Sequence, residues 1–259
     1  MGTSVNRSCA VQEYWDSNPC GLHEPAREIP ASQFFDAYAR IRYEREPEIE
    51  AFAEFPRWAG RRVLEVGVGM GADFVRFAKA GAKIVGTDLA SRSLELARRN
   101  AKTNHLVPTL LNADAQALPF AEGTFDLAYS WGVLHHTPDT ECAVREIHRV
   151  LRPGGECRVM LYHRRSLLAL QCYLRYGLGR LRPFTSVSEL IARNLESPGT
   201  KAFTRSEVKI LFKQFRHVEV RPVVTAYDVR FARRRFAPRW LRRLAPSRVG
   251  WFLLIRAEK

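Results

Sequence analysis

The chain has 259 residues, 46% of them hydrophobic and 26% charged, with a formal net charge of +14 and a pI near 10.1. That balance excludes a disordered or fibrous chain, and a chain of this length buries about 70–75% of its unfolded surface, so its core needs no metal or disulfide staple. Five widely spaced cysteines, no signal-peptide pattern and no apolar run of about 18–20 residues give the expectation of a cytoplasmic, reducing setting, with no metal site and no membrane span.

Residues 1–60 carry two aromatic-rich stretches, Tyr14-Trp15 and residues 34–43, and read as a helical cap ahead of the core, with the run 43–50 as a solvated face. From residue 61 short apolar runs alternate with helical spacings. A strand at 62–66 ends in glycines; a helix at 73–79 places Phe74, Phe77 and Ala78 on one side. A strand at 83–87 leads to a helix at 91–104 with Ser91 as its expected N-cap. Strands at 109–112 and 125–130 follow, then a helix at 141–150 stopped by Leu151-Arg-Pro-Gly-Gly155, then a buried strand at 156–162. Such alternation predicts a parallel sheet covered on both faces by right-handed crossovers.

Two later segments interrupt the pattern. Residues 164–204 form an insertion with an apolar helix over 167–178 and a tail ending in Ser197-Pro-Gly-Thr200, and residues 226–248 separate late strands at 217–225 and 249–256. Ligands of α/β sheets sit at the carboxyl ends of strands, where insertions become caps. The expected division is a cap (1–60), a ligand-binding core (61–163), a substrate-cap insertion (164–204), and the rest of the core (205–259) with a basic insertion at 226–248.

The most informative stretch is Val63-Leu-Glu-Val-Gly-Val-Gly-Met-Gly71. Glycines directly after a strand and before a helix let the backbone turn tightly and approach a ligand closely. The spacing GxGxG differs from the GxGxxG of dinucleotide folds, and a tight turn without a ligand would also use it. Asp88, at the end of the second strand, is placed to accept from ribose hydroxyls, and Asp114, after the third, from an adenine amine. With Glu65 these make three carboxylates around one pocket, which repel a pyrophosphate and suit a sulfonium.

Six segments together, Val63–Asp73 in VLEVGVGMGAD, Gly86-Thr-Asp-Leu89, Ala113-Asp-Ala-Gln-Ala-Leu-Pro-Phe120, Gly123-Thr-Phe-Asp-Leu127, Ser130-Trp-Gly-Val-Leu-His-His-Thr-Pro-Asp139 and Leu151-Arg-Pro-Gly-Gly155, resemble a known family. It is the class I S-adenosylmethionine-dependent methyltransferases, and within it the type 11 group that includes small-molecule and quinone methyltransferases. The resemblance covers about residues 60–165. It implies an α/β, Rossmann-like seven-stranded sheet with helices on both faces and the last strand antiparallel beside the sixth. It implies S-adenosylmethionine as cofactor, with Glu65, Gly67, Gly69 and Gly71 on its methionine part, Asp88 and Leu89 on the ribose, and Asp114 and Ala115 on the adenine. Ser130 and Trp131 should face the sulfonium. Val68 stands where similar proteins often carry Cys or Ser.

Methyl transfer from a sulfonium is an in-line displacement that needs a base only if the acceptor loses a proton. His135 and His136 are the expected catalytic pair, because imidazole titrates near neutrality; the same residues could instead cap the turn at 137–139. Tyr162 and His163 are candidates to orient the acceptor, although Tyr162 packs as readily under the 164–204 insertion. Tyr14, Arg42 and Tyr43 are candidates from the cap: Arg42 could pair with the methionine carboxylate, or the helix could simply pack through Tyr38, Ile41 and Tyr43.

No Asn/Asp-Pro-Pro-aromatic turn follows the fourth strand, no cysteine falls in the cleft, and Asp139 with Glu141 is too small an acidic set for metal-dependent catechol methylation. The expected activity is methylation of oxygen, carbon or nitrogen on a small metabolite, sugar or quinone-type acceptor. Two alternatives stay open: an RNA methyltransferase docking phosphates on the basic half, which the enclosed cap disfavours, and a non-catalytic S-adenosylmethionine-binding module. The charge is divided unevenly, with net −2 over residues 1–130 and +16 over 131–259. An anionic or hydrophobic acceptor, or peripheral contact of an interfacial helix at 230–243 with an anionic membrane, would use those arginines. The skew of 34 Arg to 7 Lys equally follows from GC-rich codon usage.

Overall fold

The computed structural model describes residues 2–19, 31–228, 230–232, 235–236 and 245–259, with side chains over 8–19, 33–228 and 245–259. Its strands are β1 (Arg62–Val66), β2 (Lys83–Asp88), β3 (Thr109–Asn112), β4 (Phe125–Trp131), β5 (Leu151–Tyr162), β6 (Arg216–Val223), β7 (Arg230–Ala232), β8 (Arg235–Phe236) and β9 (Phe252–Glu258). Seven of them form one sheet in the order β3-β2-β1-β4-β5-β9-β6. β1 to β5 pair in parallel, whereas β9 runs antiparallel between β5 and β6, so the last strand closes the sheet against the fifth as well as the sixth.

Both faces of the sheet are buried, and the period-2 alternation of side chains divides the core in two. Leu127, Tyr129 and Trp131 of β4, Met160 and Tyr162 of β5, and Phe252 and Leu254 of β9 face one cluster. Phe125 and Ala128, Val159 and Leu161, and Leu253 and Ile255 face the other. The first cluster holds α3 (Glu48–Ala53) and α4 (Ala72–Lys79), whose Phe52, Phe74 and Phe77 are fully buried. Above it lie α1 (Gly2–Ser17), α2 (Ala31–Arg45) and the insertion helices α7 (Leu167–Cys172) and α8 (Val187–Asn194). The second cluster is covered by α6 (Thr140–Val150) and α9 (Arg205–Leu211), while α5 (Ser91–Thr103) packs beside β2 and β3.

Several boundaries differ from the sequence expectation for local reasons. The N-cap of α5 is Ala90 and not Ser91, because the Asp88 carboxylate accepts the Ala90 N–H at 2.9 Å and so satisfies the helix start from outside it. Asp139 caps α6 by accepting from the Cys142 N–H. β5 begins at Leu151, which pairs with Phe125, so the Pro-Gly-Gly stretch lies within the strand. The apolar helix expected over 167–178 stays α-helical only to Cys172; a π turn (Tyr173–Gly177) and a 3-10 turn (Leu178–Arg180) complete it. Where an interfacial helix was expected over 230–243, β7 and β8 form an antiparallel pair, and residues 237–244, like Cys20, lie outside the described residues. Among the described residues no helix is long and apolar enough to cross a membrane.

One buried cation ties the N-terminal cap to the sheet. The Arg158 side chain on β5 is fully buried; it donates to the Phe52 carbonyl at 2.5 Å, to Glu54 at 2.6 Å and to Glu156 at 3.0 Å, and its guanidinium lies 5.2 Å over the Trp58 ring. Desolvation opposes ionisation of Glu54, but hydrogen bonds from Arg158 and Arg57 outweigh it and hold its carboxyl at about 2. A carboxyl depressed in the folded state stabilises the fold above its unfolded value and loses that contribution as pH falls toward about 2. Truncating Arg158 to Ala removes the central partner of two carboxylates and should cost about 3–5 kcal/mol in denaturant melts at neutral pH. The same variant should lose less stability than wild type between neutral pH and acid.

Candidate active site

At the carboxyl ends of β1, β2 and β4 the chain leaves a cavity of about 420 Å³, closed from above by Val11 and Trp15 of α1 and by Tyr38, Arg42 and Glu46 of α2 and its end. The loop after β1 forms its floor. Gly67 has φ 82° and a Cβ there would meet the Val133 side chain at 2.2 Å, so no larger residue fits. Gly69 has φ 52°, and nothing stands within 4 Å of where its Cβ would be: the backbone is bared to the cavity. Gly71 does not line the cavity; its Cβ position lies 3.1 Å from Ala97, so its smallness serves the packing of α4 on α5.

The three expected carboxylates all line this cavity. Asp88 accepts from the Gly69 N–H on one oxygen and from the Ala90 N–H on the other, each at 2.9 Å. Burial pushes its carboxyl up to about 6 despite those two hydrogen bonds. Asp114 accepts from Ser8 Oγ at 3.0 Å and from Gln116, so α1 reaches over the far end of the site. Glu65 is 3% exposed and its Oε2 is buried without a hydrogen-bond partner among the described residues. Desolvation, and then the negative charge of Asp73, raise its carboxyl well above the ordinary value. An orphaned buried carboxylate oxygen beside a bared glycine loop fits an ammonium-bearing ligand such as the methionine part of S-adenosylmethionine. Leu89 and Ala115 line the same cavity between Asp88 and Asp114.

Arg42, expected to meet a ligand carboxylate, is forked onto Asp73, with Nη2 at 2.8 Å and Nε at 3.4 Å. Tyr43 donates to the same Asp73 at 2.8 Å and Tyr129 at 3.0 Å, so Tyr43 anchors the cap and does not line the cavity. Tyr14 stays outside the cavity as well, edge-on to Trp15, which enters it. Ser130 is fully buried and donates to the Val66 carbonyl; it links β4 to β1 and does not reach the cavity, because alternate residues of a strand face opposite ways. Trp131, one residue on, does line it and donates its indole N–H to Glu46 at 2.8 Å. Glu46, read from sequence as part of a solvated face, also accepts from Tyr227 Oη at 2.9 Å, and burial raises its carboxyl.

The two histidines separate. His135 is fully buried, neither of its ring nitrogens has a hydrogen-bond partner among the described residues, and its ring lies 3.7 Å from that of Tyr162. Desolvation holds it well below the ordinary imidazole value, so it is a neutral core residue that does not line the cavity. His136 does line it. Its Nδ1 meets Ser197 Oγ at 2.8 Å and Thr200 Oγ1 at 3.1 Å, and its Nε2 stands 3.1 Å from a Glu196 oxygen, off the direction of a hydrogen bond. Thr200 spends its own proton on the Ser197 carbonyl at 2.6 Å, so it can meet Nδ1 only as an acceptor, whereas Ser197 Oγ can meet the same nitrogen as donor or acceptor. Tyr162 donates to Glu196 at 2.9 Å, and its ring stacks on Trp251 at 4.3 Å. His163 is buried against the Gly250 carbonyl and takes no part in the cavity. His135, His136 and Glu196 each offer one potential metal-ligand atom within 4.8 Å of the others.

Glu196, Ser197 and Thr200 come from the tail of the insertion, which reads in sequence only as a polar loop. The one local signal is backbone: Glu196 holds φ 49°, a left-handed conformation that a glutamate rarely adopts. Among the described residues that line the cavity, Arg42 is the only lysine or arginine. The arginines of the second half whose side chains are described therefore lie outside the site.

Residues 64–159 match the family described as a methyltransferase domain. A demethylmenaquinone methyltransferase of Thermus thermophilus is 35% identical over 128 residues, 49% of this chain and 58% of the relative. A ubiquinone biosynthesis O-methyltransferase of Rhizobium etli is 30% identical over 155 residues, 58% of this chain and 59% of the relative. The chain thus spans less than two thirds of the length of these curated relatives. Among solved structures, the [4+2]-cyclase SpnF superposes with a TM-score of 0.61 at 19% identity, covering 97% of this chain and 96% of that one. A methyltransferase of Thermotoga maritima described as a possible histamine N-methyltransferase gives 0.51 at 21% identity over 87% of this chain and 99% of that one. The fold is shared by proteins whose names give different reactions, so chemistry has to be argued from the site. Residues 64–159, less than half of the chain, are thus similar to a methyltransferase domain.

Proposed function

We propose that this protein transfers a methyl group from S-adenosylmethionine to a small, flat, uncharged acceptor, with His136 as the base and Glu196 as the residue that positions it. The observation that carries the reading is a single cavity lined both by Glu65, Asp88 and Asp114 and by His136, Tyr162 and Glu196. Glu65 would take the ammonium of the cofactor, the bared Gly67 and Gly69 its close backbone approach, Asp88 with Leu89 the ribose, and Asp114 with Ala115 the adenine. When bound, S-adenosylmethionine supplies an electrophilic methyl carbon on a sulfonium sulfur.

The protein's part is to place the acceptor, exclude water and take its proton. The acceptor end is walled by Trp131, Tyr162, Tyr227, Trp251 and Phe252. Aromatic walls favour a planar acceptor, and the carboxylates Glu46 and Glu196 disfavour an anionic one. That agrees with quinone-type acceptors, which the names of two relatives carry. In the tautomer with its proton on Nδ1, His136 would receive the acceptor's proton on Nε2, and the imidazolium then formed would face the Glu196 carboxylate at 3.1 Å. Helices α1 and α2 and the insertion enclose the site, which supports a small molecule over RNA.

Three measurements test this. Calorimetric titration with S-adenosylhomocysteine should release heat with wild type and lose at least about tenfold in affinity in Asp88→Ala, because a bidentate acceptor of two hydroxyls is gone. No heat with wild type would sink the cofactor assignment. Affinity in wild type should fall as pH drops through about 6, where Asp88 takes a proton and stops accepting, and Asp88→Asn should flatten that dependence. His136→Gln should lower kcat by about 10²–10⁴-fold, measured as transfer of an isotopically labelled methyl group to a phenolic or quinol acceptor, with S-adenosylhomocysteine affinity unchanged. Glu196→Gln should lower kcat less, since the hydrogen bond from Tyr162 survives and only the charge beside the imidazolium is lost.

A further inference from the structure

The insertion that closes the site carries an apolar stripe on its outer side. Leu170, Leu174, Leu178, Leu181 and Phe184 are 45–99% exposed, and the first three follow each other at intervals of four along the α7, π and 3-10 turns. The inner side of the same segment is engaged: Ala169 and Cys172 are buried in the core, Tyr173 and Tyr176 pack against it, and Leu168 lines the cavity. This is an amphipathic segment whose second apolar face has no partner among the described residues.

The tip is held out by specific bonds. Tyr173 Oη donates to the Pro183 carbonyl at 2.9 Å and the Arg182 N–H to the Gly177 carbonyl at 2.8 Å, so Leu181 and Phe184, 92% and 99% exposed, project from a braced turn. Leu181 itself holds φ 56°, a left-handed position usually left to glycine. Around the stripe the charge is of one sign. Residues 164–188 contain five arginines (Arg164, Arg165, Arg175, Arg180 and Arg182) and no aspartate or glutamate. Arg164 is paired with Glu207, whereas Arg175 and Arg180 lie over the Tyr176 ring at 5.3 and 5.0 Å, and no acidic side chain among the described residues pairs with Arg175, Arg180 or Arg182.

We propose that this face, Leu170 to Phe184 with Arg175, Arg180 and Arg182 at its rim, docks the protein on an anionic lipid bilayer. Charge selects the occupant. A projecting leucine and phenylalanine beside unpaired arginines match the boundary of acyl chains and anionic headgroups, which reward apolar insertion and cationic rims together. A second copy of this chain would bring the same arginines against themselves. Docking here would turn the outer side of α7 to the bilayer while its inner side still walls the cavity, so an apolar acceptor would have a short route in. That last step rests on the proposed methyl transfer; the docking does not.

The test is flotation of the full chain, without cofactor, on vesicles of phosphatidylglycerol mixed with phosphatidylcholine and on vesicles of phosphatidylcholine alone. Wild type should float with the anionic vesicles, bind at least about tenfold less to the neutral ones, and be released as salt rises. The double variant L181D/F184D should lose at least about tenfold in binding. Its melting temperature and S-adenosylhomocysteine affinity should stay at wild-type values, since both side chains project into solvent. Two results would overturn the proposal: wild type that stays in solution with anionic vesicles, or flotation that L181D/F184D leaves intact, which would move the contact to another surface. A concentration-dependent dimer in light scattering, abolished by L181D/F184D and accompanied by no flotation, would replace the bilayer with a second copy.

Discussion

The site depends on how one buried carboxylate is held. Asp73 stands 2% exposed in the first turn of α4, directly beyond the glycine loop, where an unpaired charge would be costly. Arg42, Tyr43 and Tyr129 all donate to it, and two of these come from α2, far away in the chain. The same Arg42 stands 3.9 Å from Glu46, which in turn accepts from Trp131 and Tyr227. One polar network thus fastens the cap to the start of α4 beyond the glycine loop, to β4 and to the aromatic wall of the cavity. Satisfying Asp73 requires α2 to lie over the sheet, and α2 lying there is what makes an open strand edge into an enclosed cavity.

Electrostatics follow the same division. Carboxylates crowd the cavity, and apart from Arg42 the described arginines lie elsewhere: in the brace of Arg158, in ion pairs on helices, and along the outer side of the insertion. Burial raises the carboxyls of Glu65 and Asp88, and for Glu65 the negative charges of Asp73 and Asp88 add to it. For the proposed acceptor, the carboxylates that line the cavity weigh against an anionic group, one of the partners that the basic second half left open.

Much of the proposed cofactor end was legible because it is local. Gly67, Gly69, Glu65 and Asp88 lie within one strand–loop–helix–strand unit, and backbone geometry brings them together whatever the rest of the chain does. Gly71 and Ser130 show where local reading stops: both belong to matching motifs, yet one serves helix packing and the other joins two strands, because neighbouring residues of a strand or turn point to opposite sides. The acceptor end was less legible. Glu196, Ser197 and Thr200 lie some sixty residues from His136, and Glu46 sits in a run of alternating charges that looks solvated until Trp131 and Tyr227 are placed against it.

From the sequence alone came the alternation of strands and helices, the parallel sheet, the glycine loop and the carboxylates that follow each strand, since these follow from short-range pattern and from the fixed geometry of a strand feeding a helix. The tertiary structure alone decided which of two adjacent histidines meets the cavity, which carboxylate faces it, and that the insertion shows one apolar face to the core and another to solvent. Those outcomes depend on segments distant in the chain packing against each other, and burial and hydrogen-bond satisfaction are properties of that packing and not of any one segment.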